Sequence, residues 1–193
     1  MSERMISVAI DGPAGAGKST IARAVAGKLG FIYVDTGALY RAVGLYGLRK
    51  GVDTTSAEQM LPLLDEIKVE MIYVEGEQRV LLNGEDVSEA IRLGEASMAA
   101  SNVSAIQGVR DFLFDLQKDM ACRHNVVMDG RDIGTVVLPE AQVKIFLTAT
   151  AASSGTVGFC SNCVKSFISS PTRRMQSSAF LSDAAFLIVF SLE

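Results

Sequence analysis

Four short apolar runs alternate with longer amphipathic stretches along this chain. The runs cover residues 6–10, 31–34, 126–129 and 143–147, and Val, Ile and aromatic residues are frequent in them. Runs of this length and composition are typical of strands buried in a sheet. Because helical patterns lie between them, we predict an α/β fold: a parallel sheet with helices on both faces.

Three helix boundaries are predicted in the first third of the chain. Residues 20–29 are good helix formers. Thr36 is predicted to cap a helix that ends at Lys50-Gly51. Another helix is predicted to begin near residues 55–56, because residues 58–59 (Glu-Gln) lie close to capping-box spacing.

A later helix carries a charge beside its apolar stripe. Ser104 is predicted to open this helix. Its apolar residues recur at helical spacing: Ile106, Val109, Leu113, Leu116 and Met120. Arg110 flanks the stripe, so it is either a surface residue whose stem covers apolar neighbours or a group aimed into a cleft. The pattern leaves both interpretations open.

Residues 68–87 differ in character from the rest of the chain. Val69, Met71 and Tyr73 alternate along a strand-like run, and Asn83-Gly84 is a strong hairpin signal. We therefore predict a small antiparallel insert between parallel-sheet units. Such an insert is typical of a mobile or substrate-covering subdomain.

The strongest chemical signal lies directly after the first predicted strand. Residues 12–19 read GPAGAGKS, a full match to the phosphate-loop pattern G-x-x-x-x-G-K-[ST], and a predicted helix follows. Glycines allow successive N–H groups to point at phosphate oxygens, and the helix dipole adds to the attraction. Lys18 is expected to reach the β- and γ-phosphates, and the Ser19 hydroxyl to ligate Mg²⁺. The alternative is an ordinary glycine-rich turn.

We predict that this loop binds a nucleoside triphosphate. The residues expected to contact it are Gly12, Pro13, Ala14, Gly15, Ala16, Gly17, Lys18, Ser19 and Thr20.

A second signal ends the third predicted strand. Asp129 follows an apolar run, which is the usual place for a carboxylate that holds Mg²⁺ directly or through water. The alternative is a strand-end turn formed by Asp129-Gly130. Arg131 and Asp132 come next, at the end of the strand where open α/β sheets place ligands.

A third signal ends the second predicted strand. Residues 34–41 read VDTGALYR. The start of a helix, the Thr36 hydroxyl and Arg41 one turn on are together suited to a second phosphate group. With the phosphate loop, this signal predicts one site for a triphosphate and another for a phosphorylated acceptor.

Composition restricts the class of protein further. The chain has 193 residues, which suits one α/β domain with a small insert, and a net charge of −4, which disfavours a nucleic-acid partner. The apolar run at 184–190 is too short to span a membrane, and no signal peptide opens the chain. Three cysteines do not make a disulfide scaffold. A cytoplasmic protein is expected. The Cys160–Cys163 spacing is read as coincidence, and His124 as a helix-end residue rather than a base.

Residues 5 to about 150 resemble the bacterial cytidylate kinases. The matching segments are 10–20 (IDGPAGAGKST), 35–41 (DTGALYR), 109–110 (VR) and 129–135 (DGRDIGT). That family transfers the γ-phosphoryl group of ATP to CMP or dCMP. The resemblance implies a P-loop nucleoside-monophosphate-kinase-like fold with a five-stranded parallel sheet, a nucleotide-binding insert at about residues 55–100 and an arginine-bearing lid.

The resemblance also implies roles for individual residues. The CMP would be surrounded by Asp35, Thr36, Arg41, Ser101, Arg110, Arg131 and Asp132. Arg41, Arg110 and Arg131 would hold its phosphate, while Ser101 and Asp132 would help identify cytosine and ribose. Lys18, Arg131 and Asp129 would act at the transfer itself, with Mg²⁺ on Ser19 and Asp129. The expected partners are ATP and CMP or dCMP, and we expect a monomer.

The chain departs from the resemblance after Ala149-Thr150. The family continues there with an acid- and arginine-rich lid, whereas residues 151–193 are rich in serine and poor in charge. We therefore expect a kinase core at 1–150 and an atypical tail at 151–193, in which a frameshift or chimeric reading frame begins near residue 151. The alternative function is a P-loop protein that binds ATP but has little or no kinase activity.

Overall fold

The computed structural model describes residues 5–74, 77–147 and 164–167. In chain order the strands are β1 (Ser7–Asp11), β2 (Ile32–Asp35), β3 (Val69–Val74), β4 (Glu77–Leu82), β5 (Glu85–Asp86), β6 (Val126–Gly130), β7 (Val143–Leu147) and β8 (Val164–Phe167). The α-helices are α1 (Lys18–Leu29), α2 (Thr36–Lys50), α3 (Ala57–Met60), α4 (Gly94–Ser104) and α5 (Gln107–Arg123). The chain divides into two compact units, residues 1–34 with 120–193 and residues 35–119.

The larger sheet has the strand order β2-β6-β1-β7-β8. Central β1 pairs in parallel with β6 and with β7, so that Ile10 lies between Asp129 and Ile145. The predicted parallel sheet with helices is confirmed. The family resemblance implied a sheet of five parallel strands. In the described residues the fifth strand, β8, pairs antiparallel to β7. Strand β8 was not among the predicted strands, and the apolar run at 184–190 lies outside the described residues.

Burial of β1 on both faces explains the apolar run at its centre, Val8-Ala9-Ile10. All five of its residues are buried, and the side chains of Val8 and Ile10 pack with those of Ile21 and Val25 from α1. A central parallel strand is covered on both faces, so it needs no polar alternation. This core fixes the end of β1 and the start of α1, between which the phosphate loop runs.

Helix α2 begins with a side-chain cap that differs from the predicted one. The Asp35 carboxylate accepts a hydrogen bond from the Ala38 N–H at 3.0 Å, so Asp35 is the N-cap. Thr36 is the first helical residue and is buried. The predicted end is confirmed, since Gly51 closes the helix in the left-handed conformation. A β-carbon at Gly44 would lie 2.8 Å from the backbone of Ala99, so α2 and α4 pack closely there.

The predicted cap of α3 is confirmed, but the capping box is incomplete. The Ser56 hydroxyl accepts a hydrogen bond from the Gln59 N–H at 3.4 Å. The Gln59 side chain accepts from the Asp53 N–H instead of from Ser56. The reciprocal bond of a full capping box is therefore absent at this described cap.

The predicted antiparallel insert is confirmed. Strands β3, β4 and β5 form a separate sheet, and Asn83-Gly84 makes the turn between β4 and β5. Both turn residues have positive φ, 52° and 85°, as the hairpin signal requires.

The predicted start of the helix with the apolar stripe was wrong. Ser104 is the last residue of α4, and α5 begins only at Gln107. The Ser104 hydroxyl donates to the Ser101 carbonyl within α4 and does not cap α5. The stripe itself is real, because Val109 and Leu113 are completely buried. No helix in the described parts of the chain is long and apolar enough to cross a membrane.

Candidate functional site

The phosphate loop joins β1 to α1 through a glycine-rich turn. Gly12, Gly15 and Gly17 all have positive φ, at 148°, 77° and 79°. Gly17 is the N-cap of α1 and supplies no side-chain hydrogen bond. The cap therefore offers no side-chain acceptor to the first N–H groups of α1. An anion is the acceptor that the helix dipole favours at this position.

Gly12 is held against the end of β7. A β-carbon built on Gly12 would lie 2.1 Å from the Leu147 carbonyl oxygen. No side chain fits at that distance, so the first glycine of the motif is required by a close backbone approach as well as by its φ. The sheet thus fixes where the loop begins.

The side chain of Lys18 folds back over the phosphate loop. Its Nζ donates a hydrogen bond to the Pro13 carbonyl at 2.8 Å. The ammonium group is therefore held on the loop, where a bound phosphate would meet it. This placement suits the predicted contact with the β- and γ-phosphates, which stays a prediction.

Ser19 and Asp129 form the polar centre of the first unit. The Ser19 hydroxyl donates to Asp129 Oδ2 at 2.9 Å, and the buried Tyr33 hydroxyl donates to Asp129 Oδ1 at 2.8 Å. Asp129 is only 5% exposed. Asp129 and Gly130 both belong to β6, so they do not form the turn that was the alternative interpretation.

The chemistry of this pair fits Mg²⁺. A hydroxyl and a carboxylate are hard oxygen ligands, and Mg²⁺ in nucleotide sites uses one or two carboxylates together with phosphates and water. Within the described residues there is no cluster of three or more His, Cys, Asp or Glu side chains that would form a protein-only metal cage. Ser19 and Asp129 therefore suit an ion that arrives with a nucleotide.

A second buried carboxylate, Asp11, was not among the predicted site residues and lies at the end of β1. Asp11 Oδ1 accepts from the Ile133 N–H at 2.7 Å, and Oδ2 accepts from the Gly134 N–H at 2.8 Å. These N–H groups open a single π-helical turn, Ile133–Val137. The available signal was an acid ending a buried strand, the same signal that identified Asp129.

Arg131 and Asp132 lie between β6 and this turn. Both residues are exposed, while the residues on either side are more buried. The Asp132 carbonyl accepts from the Val136 N–H at 2.8 Å. In the first unit a side-chain contact therefore joins two of the predicted site residues, Ser19 and Asp129, while Arg131 and Asp132 directly follow the strand that carries Asp129.

The predicted acceptor residues at the start of α2 lie in the second unit. Asp35 Oδ2 accepts from the Arg41 guanidinium at 3.1 Å, while Asp35 Oδ1 caps the helix. Both side chains are partly exposed, 20% for Asp35 and 28% for Arg41. One carboxylate thus aligns the helix and orients the arginine.

Two further predicted residues of the second unit are exposed. Ser101 lies on α4, and Arg110 lies on the first turns of α5, where its guanidinium donates to the Gln107 side chain. The exposure agrees with either earlier interpretation of Arg110. His124 follows α5 directly, as predicted, and its N–H donates to the Met120 carbonyl. Cys160 and Cys163 lie outside the described residues.

The fold and the loop together define the class of protein. A parallel sheet in which a G-x-x-x-x-G-K-[ST] loop links the central strand to a helix, with a small antiparallel insert, is a P-loop nucleoside-monophosphate-kinase-like α/β fold. The chain belongs to the cytidylate kinase family, whose model matches residues 8–155. The family resemblance found in the sequence is confirmed.

Named relatives agree with this membership. The chain is 54% identical over 148 residues to "Cytidylate kinase" of Caldicellulosiruptor saccharolyticus, a match that covers 77% of this chain and 66% of the relative. It is 51% identical over 149 residues to "Cytidylate kinase" of Lactobacillus gasseri, covering 77% of this chain and 65% of the relative. The match therefore spans slightly less than two thirds of the length of these relatives.

A further relative aligns over more of the chain. "Cytidylate kinase" of Lactiplantibacillus plantarum is 42% identical over 183 residues, which is 95% of this chain and 80% of the relative. Alignment beyond residue 151 thus comes with a lower identity. A C-terminal segment that diverges from the family agrees with these matches.

Proposed function

We propose that this protein transfers the γ-phosphoryl group of ATP to CMP or dCMP. The observation that carries the proposal is the Ser19–Asp129 contact beneath a complete phosphate loop, in a chain that belongs to the cytidylate kinase family. A loop alone identifies a phosphate site. The loop, the paired oxygen ligands and the family together favour a kinase.

The first unit supplies the donor side of the reaction. The N–H groups of the loop and of the first turn of α1 bind the phosphates of ATP, and Lys18 neutralises charge at the β- and γ-positions. Ser19 and Asp129 would hold Mg²⁺, which would supply positive charge against the repulsion between the phosphates of donor and acceptor. Tyr33 holds one Asp129 oxygen, which leaves the other directed at Ser19.

The acceptor side is assigned through the family. Arg41, Arg110 and Arg131 hold the phosphate of CMP, while Ser101 and Asp132 identify cytosine and ribose; Asp35 and Thr36 complete the site. The Asp35–Arg41 ion pair supports this assignment, because it keeps a guanidinium oriented before any phosphate is present. Arg131 contributes positive charge as the phosphoryl group passes from ATP to CMP.

The chain needs little covalent chemistry for this reaction. Two anionic phosphates must be brought into line and their charge must be neutralised, and both tasks are met by positioned N–H groups, Lys18 and the arginines. No residue has to form an intermediate.

A second function is favoured by one specific observation. The segment after residue 151 diverges from the family, and its sequence lacks the acid- and arginine-rich pattern of the family lid. An arginine delivered to the transition state is worth about 10³–10⁵ in rate. Without an arginine from a lid, the chain would bind ATP and transfer its γ-phosphoryl group slowly or not at all.

A pair of lysine variants tests the proposal. ADP release with ATP, Mg²⁺ and CMP is measured by a coupled assay for the wild type, for Lys18→Ala and for the matched control Lys28→Ala, which lies in the last turn of the same helix. We expect Lys18→Ala to lower kcat by about 10²-fold or more, and Lys28→Ala to leave it unchanged. CMP-dependent turnover that survives Lys18→Ala would contradict the proposed donor site. ATP binding without turnover in the wild type would support the second function.

A further inference from the structure

Asp11 is a buried carboxylate that none of the proposed steps uses. Its side chain lies at the end of central strand β1, and the residue is 8% exposed. Each of its two oxygens accepts one backbone N–H, from Ile133 at 2.7 Å and from Gly134 at 2.8 Å. Burying a charge is costly unless hydrogen bonds compensate, so this carboxylate is placed specifically for those two amides.

The same residue also lies beside the other end of the segment it contacts. In the sheet, Asp11 is the register partner of Gly130, the last residue of β6. Its carboxylate then binds the N–H groups of Ile133 and Gly134. Arg131 and Asp132 are the two residues in between, so this short stretch starts beside Asp11 in the sheet and ends at the amides that its carboxylate binds.

The turn after Asp132 depends on the carboxylate for its first hydrogen bonds. Within the turn, the Val136 N–H donates back to Asp132 and the Leu138 N–H donates back to Ile133. The first N–H groups of any helical turn have no partner inside it, and a negative charge stabilises them. Asp11 supplies that partner and that charge.

Gly134 is packed tightly against the carboxylate. A β-carbon at Gly134 would lie 3.2 Å from Asp11 Oδ2 and 3.2 Å from Lys144 Cδ. A methyl group there would press on the carboxylate without changing its charge. The contact can therefore be perturbed from either side.

We propose that Asp11 is the positioning residue for the acceptor nucleotide: through its bonds to Ile133 and Gly134 it sets the placement of Arg131 and Asp132. This inference rests on the proposed function, in which those two residues bind the nucleoside monophosphate. Asp11 adjoins Gly12 in the chain, so the strand that starts the donor loop also fixes part of the acceptor site.

Binding measurements on the full chain test this role without relying on turnover. Asp11→Asn leaves one oxygen able to accept and turns an amide N–H₂ toward the second backbone N–H. Kd is measured by calorimetry for CMP and for a non-hydrolysable ATP analogue with Mg²⁺, and amide exchange is followed at Ile133 and Gly134. We expect about tenfold weaker CMP binding, at least tenfold faster exchange at both amides, and ATP-analogue binding within about threefold of the wild type. Asp53→Asn is the matched control, because the exposed Asp53 carboxylate also accepts a backbone N–H, from Thr55, and should change neither Kd.

A second variant keeps the test decisive if Asp11→Asn does not fold. Gly134→Ala should weaken CMP binding selectively in the same way, and Gly27→Ala, whose β-carbon meets nothing within 4 Å, should not. Equal loss of CMP and ATP-analogue binding, or unchanged CMP binding despite faster amide exchange, would overturn the role of Asp11. A wild type that binds no CMP would instead overturn the proposed function, and this inference with it.

Discussion

Replacing Gly12 with alanine tests the geometry of the phosphate loop. The β-carbon introduced by Gly12→Ala would lie 2.1 Å from the Leu147 carbonyl oxygen, whereas real β-carbons essentially never approach closer than 3.0 Å. The loop or the end of β7 must therefore move by at least the difference, 0.9 Å. The φ of 148° adds strain, because side chains rarely adopt it.

These two effects have separate magnitudes. A side chain forced into a sparsely populated backbone conformation costs about 1–3 kcal/mol, and overpacking adds about 1–3 kcal/mol. A displacement of 0.9 Å also moves loop N–H groups out of the 2.7–3.2 Å range of a hydrogen bond. Two lost charge-assisted bonds, at about 1.5–3 kcal/mol each, weaken ATP binding by about a hundredfold or more.

Thermal unfolding with and without a non-hydrolysable ATP analogue measures both effects. At a hundred times its Kd, the analogue stabilises the wild type by about 2.7 kcal/mol, and a hundredfold weaker site would gain only about 0.4 kcal/mol. Gly30→Ala is the matched control, since Gly30 also has positive φ but has nothing within 4 Å of its β-carbon. If Gly12→Ala unfolds at the same temperature as Gly30→Ala and keeps the full ligand-induced shift, the close approach to Leu147 does not constrain the loop.

Two further predictions concern single hydrogen bonds. Tyr33→Phe removes the buried hydroxyl that donates to Asp129, so we expect a loss of about 1.5–3 kcal/mol in urea unfolding; unchanged stability would show that the bond contributes nothing. The hydrogen bond from Arg49 lowers the pKa of Glu85 below its ordinary value of 4.5, so the pair's stabilisation is present above pH 4.5 and is lost as the pH falls through the lowered value. Glu85→Gln should therefore flatten the dependence of Tm on pH in that acidic range, and an unaltered pH profile would show that the Arg49–Glu85 pair does not stabilise the fold. The difference in Tm between wild type and Glu85→Gln should shrink in high salt because both groups are exposed.

The parallel sheet could be predicted because its strands are buried on both faces. Residues 8–10 and 126–128 are apolar throughout because these parts of the central strands are fully buried. The turn at Asn83-Gly84 requires the backbone conformation that those residues favour. Strand β8 could not be predicted. Its sequence, VKSF, has no apolar run or turn signal around it. Its pairing with β7 is determined by tertiary contacts and not by the local sequence.

Helix caps were less predictable than helices. Thr36 and Asp35 are both good cap residues, and only the tertiary geometry at the end of β2 selects Asp35. Ser104 likewise has a cap residue's chemistry but occupies the end of α4. A local preference for capping does not say which of two helices the residue belongs to.

The donor residues of the site could be predicted from one contiguous motif, whereas the contacts of Asp11 could not. The phosphate loop has a fixed spacing because its chemistry is local. The partners of Asp11 are 122 and 123 residues away, so no spacing in the sequence connects them. Residues 34–41 predicted a site for the acceptor phosphate, but the full acceptor set is scattered from Asp35 to Asp132 and could be named only through the family.

Phosphorylation of a cytidine monophosphate is the activity proposed for this chain. The most direct measurement is ADP release by the full chain with ATP and Mg²⁺, using CMP, dCMP, UMP and AMP as separate acceptors. We predict that ADP release is much faster with CMP or dCMP than with UMP or AMP. The rate with CMP should be about 1–100 s⁻¹. Stimulation by UMP or AMP in preference to CMP, or no stimulation by any acceptor despite ATP binding, would contradict it.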